Sequence, residues 1–178
     1  MDIRKKYLIL DEESNASDYL SRSVEFLDKI EQDRLYLKWF TIAFHGAVYH
    51  FILIKLHKKD SEQIFTDKKT NQHSLDRQIV SFEKAYAMLK NDQDNPYKPS
   101  GIQDTCITEL NGALRNQMIH FRPTLWAAEP WYFANVCYPL IEVLRFCIEG
   151  YQFRKVEESV LLESLRSIEN TLKKHTIK

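Results

Sequence analysis

Glycine and proline are scarce in this chain, four and five among 178 residues, while 44% of the residues are hydrophobic. That balance excludes disorder for most of the length and leaves enough apolar material for one real core. Cysteine is scarcer still. Cys106, Cys137 and Cys147 are an odd number at spacings that fit neither a zinc knuckle nor a disulfide framework, so they read as reduced, small apolar fillers. Net charge is absent, with 25 basic residues against 25 acidic ones. The chain as a whole therefore offers no electrostatic footprint for nucleic acid or an anionic membrane, and any such contact must come from a local patch. No apolar run is long and clean: the greasiest stretch, 39–56, is interrupted by His45, His50 and Lys55, which argues against a bilayer span. At the amino terminus, MDIRKKYLILDEES holds only the tetrad Tyr7 to Leu10, far short of a signal-peptide core, and the expectation is a cytoplasmic protein. A glycine-rich phosphate loop, HExxH, CxxC and a nucleophile elbow are all missing, which weakens kinase, hydrolase and zinc readings.

What is present is helical periodicity. The spacing predicts an all-α bundle of about five or six helices in a single domain over 1–178. A first helix is expected to start at Ser17, after an extension over 1–16, and to carry Leu20, Val24, Leu27 and Ile30. The segment 32–58 is apolar on more than one face and is expected to be the central helix. The polar stretch 58–74 reads as a mobile connection. Leu75, Ile79, Phe82, Tyr86 and Leu89 predict a third helix, closed by the loop 91–101. Ile107, Leu110, Leu114, Met118 and Phe121 predict a fourth over 102–121, stopped by Pro123. A fifth is expected over 130–153, kinked or broken at Pro139, and a C-terminal helix over 156–178 with Val160, Leu161, Leu165 and Ile168 on one side.

The chemistry-bearing segment is ELNGALRNQMIHFRP, with Arg115, Asn116 and, five residues after the arginine, His120. An Arg-to-His spacing alone is common. The asparagine after the arginine and the place at the end of a helix give the pattern its specificity. This arrangement resembles the motif of HEPN proteins, an arginine, usually a polar residue, and a histidine four to six residues further on, in a small helical bundle. The helix LKWFTIAFHGAVYHFILIKL is similar to the long early helix of such domains, and the likeness covers roughly 17–150. It implies metal-independent RNA cleavage without a cofactor, at a composite site where two copies of the motif meet in a homodimer. It also implies a toxin or defence role, with a nucleotidyltransferase-like antitoxin as a possible partner.

The residue types suit that chemistry. Histidine titrates near neutrality, so His120 can accept a proton from a ribose 2′-hydroxyl or donate one to the leaving 5′-oxygen. The permanent fork of Arg115 can hold a phosphate and its transition-state charge. Asn116 and His120 are four apart and share a helix face, whereas at 100° per residue Arg115 lies about 140° from His120. Convergence needs the arginine's length, a loosened last turn or a partner subunit. Arg122 and Glu109 are possible accessory groups, although for Glu109 and Asn111 a solvated helix face is the plainer expectation. Trp126, Trp131 and Tyr132 suit either base stacking or core and interface anchoring. His50 and His57 are separated by some 10 Å of helical rise, too far to share a metal ion. Three functional readings stay open: an endoribonuclease, a non-catalytic module binding a nucleotide, RNA or protein, and a structural domain in which Arg115 faces solvent and His120 is buried.

Overall fold

The computed structural model describes residues 10–66, 77–120 and 125–176. Helix α1 (Glu12–Asp28) begins earlier than expected, because Asp11 accepts from the Ser14 amide at 2.8 Å and Ser14 Oγ accepts from the Asp11 amide at 3.0 Å. Such a reciprocal cap satisfies two backbone donors at once. Ser17 therefore lies inside the helix, and Glu13 and Ala16, within the expected 1–16 extension, are buried. The buried Glu13 carboxylate accepts from the amides of Arg154 and Lys155 at 2.8 and 3.1 Å, pinning α1 to the approach to the last helix.

Helix α2 (Tyr36–Lys59) is the central element, as its many-sided apolar pattern predicts. Phe40, Phe44, Phe51, Ile52 and Leu56 are fully buried, and the helix packs against α1 and against the third and seventh helices described below. By length and composition α2 is apolar enough to cross a membrane, but most of that stretch is buried inside the protein. Gly46 gives α1 its close approach: a Cβ there would stand 2.5 Å from the Tyr19 ring. His57, Lys58 and Lys59 close the helix where cations complement its dipole.

The segment expected as a mobile connection over 58–74 is partly packed. Ile64 is buried, and Phe65 pairs with Ile79 in an isolated antiparallel bridge, while 67–76, including Leu75, lie outside the described residues. With Ile79 in that bridge, α3 (Phe82–Lys90) is shorter than its periodicity suggests and is capped by Ser81. The loop 91–100 leads to a rod of three conformations, α4 (Gly101–Thr108), a π segment (Glu109–Arg115) and α5 (Asn116–Ile119). A second composite rod follows: α6 (Pro130–Cys137), a 3-10 turn (Tyr138–Leu140) at Pro139, and α7 (Ile141–Ile148). The break at Pro139 is as expected. The helix ends five residues before 153, however, because Gly150 takes φ +69°, a conformation that only glycine adopts without strain.

Helix α8 (Glu158–His175) buries Leu161, Leu165, Ile168 and Leu172, whereas Val160 faces solvent rather than joining the expected stripe. The described residues thus form an all-α bundle of six helical rods around one continuous apolar core running in sequence from Ala16 to Leu172. The three cysteines are free thiols inside it. Burial pushes the thiol of Cys147 up to about 12, so these groups act as apolar fillers rather than nucleophiles.

Candidate functional site

The motif rod starts as an ordinary helix. Ser100 caps it, accepting from the Gln103 amide at 3.3 Å, while Gln103 Oε1 accepts from the Ser100 amide at 2.8 Å. From Glu109 the ladder shifts to the wider π form, which persists through Arg115. π turns are rare and concentrate at functional sites, because the helix gives up its best hydrogen-bond geometry there. The residues of this segment are held by three neighbours. Tyr132 of α6 donates its hydroxyl to Glu109 at 2.5 Å. Asn111 Nδ2 donates to Glu83 of α3 at 2.6 Å, and Asn111 Oδ1 faces Nε2 of His45 on α2 at 3.0 Å. Leu110 and Leu114 are fully buried between these polar attachments. Gly112 stands exposed with open space around it, so the outer side of the wide turn is free of steric demand.

His45, half-buried on α2, is the centre of this arrangement. Its ring stacks on Phe82 with 4.4 Å between centroids. Burial pushes its pKa down to about 4, against the hydrogen bond to Asn111, and the charges of Arg115 and His50 lower it further. The carboxylate of Glu83 can only accept, so the amide nitrogen of Asn111 must face it and the amide oxygen must face His45. Nε2 of a neutral His45 consequently carries the proton.

Arg115, the last residue of the π segment, is half-buried and donates Nη1 to Asn116 Oδ1 at 3.0 Å. The structure thus pairs Asn116 with Arg115, not with the imidazole on its shared face. His120 ends α5 with ψ 136°, leaves the helical path, and is exposed, with its amide donating to the Asn116 carbonyl at 3.1 Å. Arg115 and His120 flank the four-residue α5 and, among the described residues, share no hydrogen bond. The loosened turn lies upstream of Arg115 rather than between the two residues. His120 is exposed, unlike the buried histidine expected of a purely structural domain. Arg122 lies outside the described residues.

Glu109 and Asn111 are not a solvated face: each is tied to another element by its side chain. His45 and Glu83 are the residues that sequence reasoning missed. A histidine set between Phe44 and Gly46 in the central helix was the available signal, but its partner stands 66 positions away. Trp126 and Trp131 are each more than a third exposed and, with Tyr132, line an open depression. Burial, followed by the bond to Glu109, pushes the Tyr132 hydroxyl up to about 12, so it donates at all ordinary pH values. Among the described residues no group of three His, Cys, Asp or Glu side chains is placed to hold a metal ion. Compared with known protein families, curated proteins and solved structures, the chain matches none.

Proposed function

We propose that this protein is a metal-independent RNA endonuclease of HEPN type, acting as a homodimer in the cytoplasm. The observation that carries the reading is the helix that abandons α geometry for the turn ending in Arg115 and then presents His120, exposed, at its end. In this mechanism one His120 takes the proton of a ribose 2′-hydroxyl, whose oxygen attacks the adjacent phosphorus. The bond from phosphorus to the 5′-oxygen breaks, and the second copy's histidine gives that oxygen a proton. Arg115 neutralises the charge that builds on the phosphate, and Asn116 holds the guanidinium. The products are a 2′,3′-cyclic phosphate and a 5′-hydroxyl. One histidine cannot be acid and base in the same step, and Arg115 and His120 do not bond within one chain, which together motivate the dimer. A toxin or defence role, with a nucleotidyltransferase-like antitoxin as partner, follows from the resemblance of the motif.

A second reading, a non-catalytic module that binds a nucleotide, RNA or protein through the same face, is favoured by the zero net charge, unusual for an RNase. The deciding experiment incubates labelled structured and unstructured RNA with the protein in EDTA, beside folded Arg115→Ala and His120→Ala variants. Cleavage to cyclic phosphate ends, reduced by about 100-fold or more in each variant, supports the nuclease. Absence of cleavage across RNAs, or cleavage indifferent to both changes, moves the assignment to the binding module.

A further inference from the structure

The polar chain behind Arg115 has no part in the reaction as written, yet it crosses three elements. It runs from His45 in α2 through Asn111 in the π segment to Glu83 at the start of α3. We propose that this chain is a positioning device for Arg115, in which His45 serves as a fixed hydrogen-bond donor and not as an acid or base. The inference rests on Arg115 being the phosphate-binding residue.

Three observations support it. First, Asn111 is gripped from both sides while Glu109 is gripped by Tyr132, so two of the first three residues of the π segment are fixed to neighbouring helices. Leu110 and Leu114 are also locked into the core, and Gly112 between them is exposed. Arg115 directly follows the buried Leu114 and ends the π segment, so the register of its backbone is set by these attachments and not by an α-helical ladder. Second, His45 is half-buried and held in orientation by stacking on Phe82, and its Nε2 is occupied by the Asn111 amide oxygen rather than turned to solvent. Third, Arg115 stands near enough for its charge to act on His45. A protonated His45 would repel the guanidinium it helps to place, so the device works with the ring neutral. The groups acting on His45 are Asn111, Arg115, His50, Tyr49 and Phe82, and the one carboxylate of the polar chain, Glu83, is bonded to the far side of the Asn111 amide rather than to the ring.

Substitutions that keep or remove the donor separate positioning from chemistry. Glutamine places an amide N–H near the Nε2 position, so His45→Gln should cleave RNA within about threefold of the parent, with an unchanged pH profile. His45→Leu should lower kcat by about tenfold or more. Glu83→Ala, at an exposed position, should leave the fold intact, free the Asn111 amide and lower kcat in the same direction. NMR of the arginine side chains supplies a readout independent of turnover. The Arg115 Nε–H resonance should move in His45→Leu and Glu83→Ala and stay in place in His45→Gln. If His45→Gln loses as much activity as His45→Leu, or alters the pH profile, His45 is a chemical participant and the proposal is wrong. If the Arg115 resonance is unmoved in every variant, the positioning role is wrong whatever the activities. If the parent cleaves no RNA, the nuclease reading fails alone, and the resonance comparison still decides the role of the chain.

Discussion

The central helix α2 and the motif rod carry a glycine each in mid-course, and the two glycines serve opposite ends. In α2, Gly46 sits where the Tyr19 ring leaves no space, and the helix keeps regular α geometry for 24 residues. In the rod, Gly112 has nothing within 4 Å of its would-be Cβ, yet the helix departs from α geometry around it. Packing on many sides reinforces the α ladder, because every buried side chain of α2 agrees on one register. Polar attachments to three different elements do not share a register, and the rod yields where its glycine weakens the ladder.

Several substitutions break or sharpen this contrast. The largest effect belongs to Phe44→Ala in α2, which should cost about 3–5 kcal/mol in denaturant unfolding, because the emptied site is walled by the rest of the core. Next is acid. His45 is neutral in the folded state down to about 4, whereas unfolded it binds a proton below its ordinary value of 6.5. The unfolded chain therefore holds more protons in that window, and stability should fall by roughly 3 kcal/mol as pH drops through it. His50, also lowered by burial, acts in the same direction, so His45→Gln should reduce the slope of stability against pH without abolishing it. Third is Gly46→Ala, expected to cost about 1–3 kcal/mol by forcing the Tyr19 ring off its stack on His50. The smallest change has the opposite sign: Gly112→Ala should stabilise the fold by up to about 1 kcal/mol. It should also bias the rod towards α geometry, seen as altered amide shifts across 109–115. A destabilising Gly112→Ala would show that the wide turn, and not the weakness of glycine, sets the local energy.

The sequence made the rods legible because their apolar stripes depend only on local spacing, and proline marked the break at Pro139. It concealed what depends on distant partners. Ser17 looked like a helix start because the residues that follow Asp11, EESNASD, are mostly polar and Glu13 had no visible reason to be buried. The π segment was invisible because Ile107, Leu110 and Leu114 keep the same spacing on either ladder. Arg115, Asn116 and His120 could be named from the motif, but His45 and Glu83 could not, since the asparagine that joins them to the site reads locally as a surface residue.

The contact between Glu13 and the amides of Arg154 and Lys155 also bears on the order of folding events. It joins positions 141 and 142 residues apart and so closes a loop of most of the chain. Closure of so long a loop is entropically costly until the intervening helices have condensed. The attachment of α1 to the last connection should therefore be among the late steps. Perturbing it should speed unfolding more than it slows folding, which makes Glu13 a natural reporter of the moment at which the bundle is complete.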